Sequence, residues 1–180
     1  MSARKPLAIM TAAAALIAGP VLSARASTVP AGQQTVYAGQ ARAAGLSDRQ
    51  AAELQRQVDA VLTEDPQARQ LSANRLATAG GTVTLAVPGH SETRDLASPD
   101  TALACGDGHL CITDGRGRNY DFYRCGYYDF DGVGDGTFNN NQTPGTRARF
   151  YNSDGSERWS NVAKSTGTAS WTPVFHIRPC

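Results

Sequence analysis

The sequence predicts a mainly β fold, a disulfide-stapled β-sandwich over residues 104–180 preceded by a small αββ unit over 46–87. Three observations carry this. All four cysteines, Cys105, Cys111, Cys125 and Cys180, fall in the C-terminal stretch, and an even count in an exported chain reads as two bridges rather than reactive thiols. From Cys105 onward, short aromatic or β-branched runs are separated by Gly, Asp and Asn, which makes six or seven short strands and no helix. Upstream, one amphipathic helical pattern is followed by a strictly alternating run.

Residues 1–26 place Arg4 and Lys5 before an alanine-rich apolar run from Leu7 to Leu22, then small residues at Ala24 and Ala26. That order predicts a secretory signal peptide cut after Ala26 and a secreted, extracellular protein. The apolar run is short of the ~20 residues that a bilayer requires, and Gly19-Pro20 break it. No cysteine at the cut means no lipid anchor is expected there. Removing Arg4, Lys5 and Arg25 from 17 basic residues leaves 14 against 16 acidic ones. A nearly neutral chain without a Lys/Arg cluster argues against nucleic acid, or a membrane after cleavage, as the main partner. A monomer is expected.

Residues 27–45 have no apolar period and read as a flexible lead-in. The helix follows. Ser47 and Gln50 have the spacing of a capping box, Leu46 suits a hydrophobic staple, and Ala51, Leu54, Val58, Val61 and Leu62 make one apolar face. Asp65-Pro66 ends it, because the residue before proline is pushed out of helical geometry. Arg69 to Ala77 and Thr82 to Val87, around Gly80-Gly81, predict a hairpin with one buried face. So small a unit needs a partner surface, either as a cap on the following domain or as a pro-region or partner-binding arm. Residues 88–103 are rich in Pro, Gly, Ser, Thr and acidic residues and read as a linker.

In the β domain, His109–Thr113 and Asn119–Cys125 flank a glycine turn, Tyr127–Phe130 is a candidate third strand, and residues 131–136 read as loop. Ala148–Asn152 and Ser156–Ser160 form a second hairpin, and a last strand runs from Ala169 to Ile177. Five residues with two glycines separate Cys105 from Cys111. That spacing favours a small Cys105–Cys111 ring with Cys125–Cys180 as the long bridge, over an alternative joining Cys105 to Cys125.

Cys105-x5-Cys111 opening a strand, the aromatic strand ending at Cys125, and Phe138-Asn139-Asn140-x-x-Thr143 resemble the small secreted bacterial metallopeptidase inhibitors of βγ-crystallin-like fold. Helix plus hairpin ahead of such a domain also looks like a group of uncharacterised exported bacterial proteins. The resemblance implies a Greek-key sandwich, a peptidase inhibitor as function, and an extracellular protease or other secreted protein as partner. It also implies a weak calcium clamp at Asn139, Asn140 and Thr143, Pro144 standing where a second hydroxyl would. An inhibitor presents a loop whose ordering cost is met before binding. The first such segment is Gly106 to Leu110, with Asp107 and His109 as the contact candidates; the second is Asn139 to Gly145.

Against catalysis, His90, His109 and His176 are scattered without metal-site spacing, and no Gly-x-Ser-x-Gly elbow or free thiol is visible. Asp129, Asp131 and Asp135 in a glycine loop suit calcium only loosely, since the EF-hand pattern fails at Val133. Tyr120, Phe122, Tyr123, Tyr127, Tyr128, Phe130 and Phe138 outnumber what one face can bury, so an exposed aromatic patch is a further expectation. Asn141-Gln142-Thr143 has the form of a glycosylation sequon. The reading is therefore a secreted, non-enzymatic binding protein of peptidase-inhibitor type. Its rivals are a calcium-stabilised extracellular structural or wall/carbohydrate-associated module, and a secreted hydrolase.

Overall fold

A computed structural model describes residues 31–180; the expected signal peptide lies outside the described residues. Helix α1 spans Ala31–Ala43, so most of the expected flexible lead-in is helical. It carries no repeating apolar stripe because only Tyr37 and Ala41, one turn apart, are buried. The Tyr37 hydroxyl donates to the Gln70 carbonyl at 3.0 Å, and Gln40 Oε1 accepts from the Ala73 amide at 2.8 Å.

Helix α2 spans Asp48–Glu64. Its start follows the expected chemistry: Ser47 Oγ accepts from the Gln50 amide, and Gln50 Oε1 accepts from the Ser47 amide at 3.0 Å. Leu54 and Val58 are its fully buried residues, and Asp65 closes it in extended geometry.

The rest of the fold is two antiparallel sheets. The strands in order are β1 Arg69–Gln70, β2 Arg75–Ala77, β3 Gly81–Thr84, β4 His109–Thr113, β5 Asn119–Phe122, β6 Tyr128–Asp129, β7 Asp135–Asn141, β8 Arg147–Tyr151, β9 Glu157–Val162, β10 Ser165–Ser170 and β11 His176–Arg178. The larger sheet runs β1-β2-β3-β5-β4-β7-β10 and the smaller runs β6-β11-β8-β9. The helix-side hairpin β2-β3 is thus continuous with the stapled half, because β3 pairs with β5 in the register Val83 to Tyr120. That register requires Gly81: a Cβ there would lie 1.9 Å from the Asp121 carbonyl oxygen.

Several sequence expectations change. Eight strands, β4–β11, follow Cys105 where six or seven were expected. Arg69–Ala77, read as one arm of the hairpin, folds back on itself as β1 and β2, and β3 is buried on both faces rather than one. Asp135-Gly136, read as loop, opens strand β7, paired on both sides by β4 and β10. The expected last strand is divided at Trp171–Val174, where the Val174 amide donates back to the Trp171 carbonyl at 2.8 Å. Backbone pairing partners, rather than β-branched residues, make β7 a strand.

One face of the large sheet carries a cross-strand row, Leu76, Val83, Tyr120, Ile112 and Phe138, in that order. Leu54 and Val58 of α2 share its buried cluster. Towards β7 the cover is the small sheet: the Phe138 ring lies 5.6 Å from Trp159, Phe150 stacks on Trp159 at 3.9 Å, and Phe130 meets Trp171 edge-on at 5.7 Å. The buried Trp171 indole donates to the Thr113 carbonyl at 3.2 Å, so burial leaves no unmet donor. The helices and the small sheet therefore share a single sheet face and leave a seam between them.

The expected linker, 88–103, has no regular structure but is held to the body. Leu96 is buried, and its amide donates to Oδ1 of the fully buried Asn74 at 3.0 Å. The Asn74 amide group donates to the carbonyls of Leu85 and Arg94 at 2.9 and 2.7 Å.

Candidate functional site

The disulfides are Cys105–Cys111 and Cys125–Cys180, with no free cysteine. Bridges of this kind fit an oxidising compartment. No helix among the described residues is long and apolar enough to cross a membrane.

The small ring sits at the start of β4, beside the end of β7. Three contacts hold it besides the bridge. The Asn141 side-chain amide donates to the carbonyl oxygens of Cys105 and Gly106 at 3.1 and 3.0 Å, while the Asn141 carbonyl accepts from the Gly108 amide at 2.9 Å. Gly108 has φ +84°, the left-handed region that glycine enters without a Cβ clash. Asp107 projects at the tip, 89% exposed, with Lys164 Nζ 3.0 Å from its Oδ1. Its hydrogen bond to the Lys164 ammonium, and the charge of that ammonium, hold its carboxyl below the ordinary range.

His109 behaves differently from Asp107. Its Nδ1 lies 2.6 Å from Asp121 Oδ1 on the adjacent strand, its ring packs 5.2 Å from Tyr123, and it folds back over Gly106. Of the two contact candidates, the ring therefore presents Asp107 and uses His109 as internal support. Sequence reading missed Asp121, which lies diagonally across from His109 in a register that only the sheet reveals.

The Asn run does not converge. Asn139 and Asn140 are neighbours on β7 and face opposite sides of the sheet. Asn140 is fully buried, donating to Asn161 Oδ1 at 2.7 Å and accepting from Gln142 Nε2 at 3.0 Å, while Thr143 is exposed in the following turn. Their side chains are not brought together. Nor are the loop aspartates: Asp129 faces His176, Asp131 is held by Arg116, Arg118 and the Tyr120 hydroxyl, and Asp135 is exposed at the start of β7. Burial and the Asp131 carboxylate push the Tyr120 hydroxyl well above its ordinary pKa. The buried Asp114 accepts from the backbone amides of Arg116 and Arg118 at 2.9 Å each, which fixes the β4-β5 turn.

The seam between helices and small sheet is an open cleft of about 800 Å³. Its floor is Val83, Tyr120 and Phe122, one wall is the end of α2, and the other carries Tyr127, Tyr128, Phe175 and His176. Tyr127 stacks on His176 at 5.1 Å and tilts against Tyr151 at 5.1 Å. His176 Nδ1 is 2.8 Å from Asp129 Oδ1. Of the aromatic residues expected to form an exposed patch, Tyr127 is exposed in this cleft beside Phe175, which sequence reading assigned to the last strand, whereas Tyr123 is exposed elsewhere, against His109; Tyr120, Phe122 and Phe130 are core. Among the described residues, the side-chain hydrogen bonds of His109 and His176 go to carboxylates, not to a serine, threonine or cysteine.

No family model, curated protein or solved structure matches this chain.

Proposed function

We propose that the protein is an exported, non-enzymatic binding protein that inhibits a secreted peptidase by presenting the Cys105–Cys111 ring. One observation carries this reading: a single amide, that of Asn141, clamps two successive carbonyls of a ring already closed by a disulfide. The ring's ordering cost is therefore met before any partner arrives, which is the condition for a small loop to bind tightly. Asp107 at its tip offers a carboxylate to a cationic or metal-bearing partner site. Support for export comes from the charged, then apolar, then small-residue order of residues 1–26 together with two bridges.

The Greek-key, βγ-crystallin-like reading of residues 104–180 belongs to the same proposal. It is supported by a chain that crosses repeatedly between sheets, with β7 and β10 in the large one and β6, β8, β9 and β11 in the small one.

The test is titration of the disulfide-intact protein against a thermolysin-like metallopeptidase and a trypsin-like serine peptidase. Inhibition of one of them, weakened by Asp107→Ala and abolished by opening the ring, is the expected result. Absence of inhibition of either enzyme at saturating protein ends the proposal. Inhibition untouched by both changes moves the contact away from the ring.

A further inference from the structure

The cleft between α2 and the small sheet combines two features that ordinary packing does not call for. Tyr127 and Phe175 stand 46% and 47% exposed on one wall. Facing them, α2 ends in Glu64 and Asp65, with no basic residue in its last turn. A helix C-terminus carries partial negative charge from its unsatisfied carbonyls, so carboxylates there are locally unfavourable and a cation is favoured. Where a sequence breaks such a local rule, the compensation is usually found in a site.

The other carboxylates lining the cleft have partners of their own. Asp131 is paired with Arg118 and Arg116, and Asp129 is hydrogen-bonded to the His176 ring, a contact that matches its charge only when the ring is protonated. Among the described residues neither Glu64 nor Asp65 takes part in an ion pair, although Asp65 Oδ1 accepts from the Gln67 amide at 2.9 Å. The unmatched charge is negative and shares the cleft with the half-exposed rings of Tyr127 and Phe175. A planar cation satisfies both walls together, because guanidinium stacks on aromatic rings and forks towards carboxylates, whereas a neutral ligand leaves the helix-end charge as it was. The same pairing already occurs within this chain, where the Arg124 guanidinium sits 5.7 Å from the Tyr123 ring centre.

We propose that this cleft is a docking site for an arginine-bearing peptide segment of a protein partner, with Tyr127 and Phe175 as the stacking wall and Glu64 and Asp65 as the charge wall. The proposal does not depend on the ring, which is built from β4 and the end of β7 and shares none of these residues.

The test uses the full disulfide-intact protein and a blocked heptapeptide of glycine and serine with two arginines, followed by amide NMR shifts and by titration at low and high salt. Its controls are the same peptide with citrulline, which keeps the planar shape and loses the charge, and a neutral N-acetylglucosamine oligomer. Saturating shifts confined to the cleft, at least about fivefold weaker with citrulline and weaker in high salt, are the expected result. The double variant Glu64→Gln/Asp65→Asn should lose a similar factor while its Tm holds or rises, since it removes charge from the wrong helix end. That opposite sign separates a docking role from a structural one; a double variant that unfolds, or binds as before, overturns the charge wall. Tyr127→Ala should weaken binding without changing its salt dependence. Equal binding of arginine and citrulline peptides, cleft shifts produced only by the saccharide, or no shifts at all overturns the proposal.

Discussion

Gln142, buried after the end of β7, donates from Nε2 to the carbonyl oxygen of Pro179 at 2.7 Å. The same Nε2 donates to Asn140 Oδ1 at 3.0 Å. The C-terminal residue is therefore fixed twice, by its disulfide to Cys125 and by a hydrogen bond to the residue before it.

Cys180→Ser should destabilise much more than Cys105→Ser. The two bridges span sequence separations of 55 and 6, and loop-closure entropy scales these to about 4 and about 2 kcal/mol. Urea unfolding at constant m-value measures both. Equal losses would mean that the Gln142 contact, not chain entropy, sets the stability of the terminus.

Asn140→Ala should cost about 1–3 kcal/mol, because it leaves the half-buried Asn161 oxygen without its donor and the buried Gln142 amide short of an acceptor. The loss should be the same in calcium and in chelator, given that Asn139 faces the other way. A loss seen only with calcium present would restore the clamp that the Asn run suggested.

Gly81→Ala should cost about 1–3 kcal/mol through forced separation of β3 from β5. The added Cβ meets a backbone oxygen that no rotamer change can move aside. Since Asp121 also faces His109, the His109 ring resonances should shift in this variant. Their staying in place would show that the strain is absorbed on the helix side.

Lys164→Met should bring the Asp107 carboxyl back up towards 3.8, its ordinary value, by removing the hydrogen bond and charge that depress it. A carboxyl depressed on folding contributes stability that is present above its unfolded pKa and lost as pH falls through its folded one. The variant should therefore differ from wild type at neutral pH and converge with it in acid. Carbon-detected titration of Asp107 gives the shift directly; no movement would place Lys164 in solvent.

The parts of the fold legible in the sequence are those decided locally. Ser47 and Gln50 cap α2 through contacts three residues apart, and Cys105 and Cys111 close a ring whose length is written in the chain. The illegible parts depend on neighbours that are remote in sequence. Strand β7 reads Asp-Gly-Thr-Phe-Asn-Asn-Asn and lacks any β-forming run, yet β4 and β10 take up its backbone groups on both sides. The His109 partner needs a register, and the cleft draws its lining from several separate stretches. Helix α1 escaped because two buried side chains make no period.

The pairing of β3 with β5 bears on what happens if the N-terminal unit is cut away. A chain trimmed to its stapled half keeps both disulfides and the small sheet, but the outward-facing amides and carbonyls of Asn119–Phe122 lose the partners that β3 supplies. An exposed strand edge of that kind is a template for another copy. The helix-and-hairpin segment covers that edge through β3, and a fragment lacking it should pair edge to edge, which sedimentation of the trimmed chain would measure.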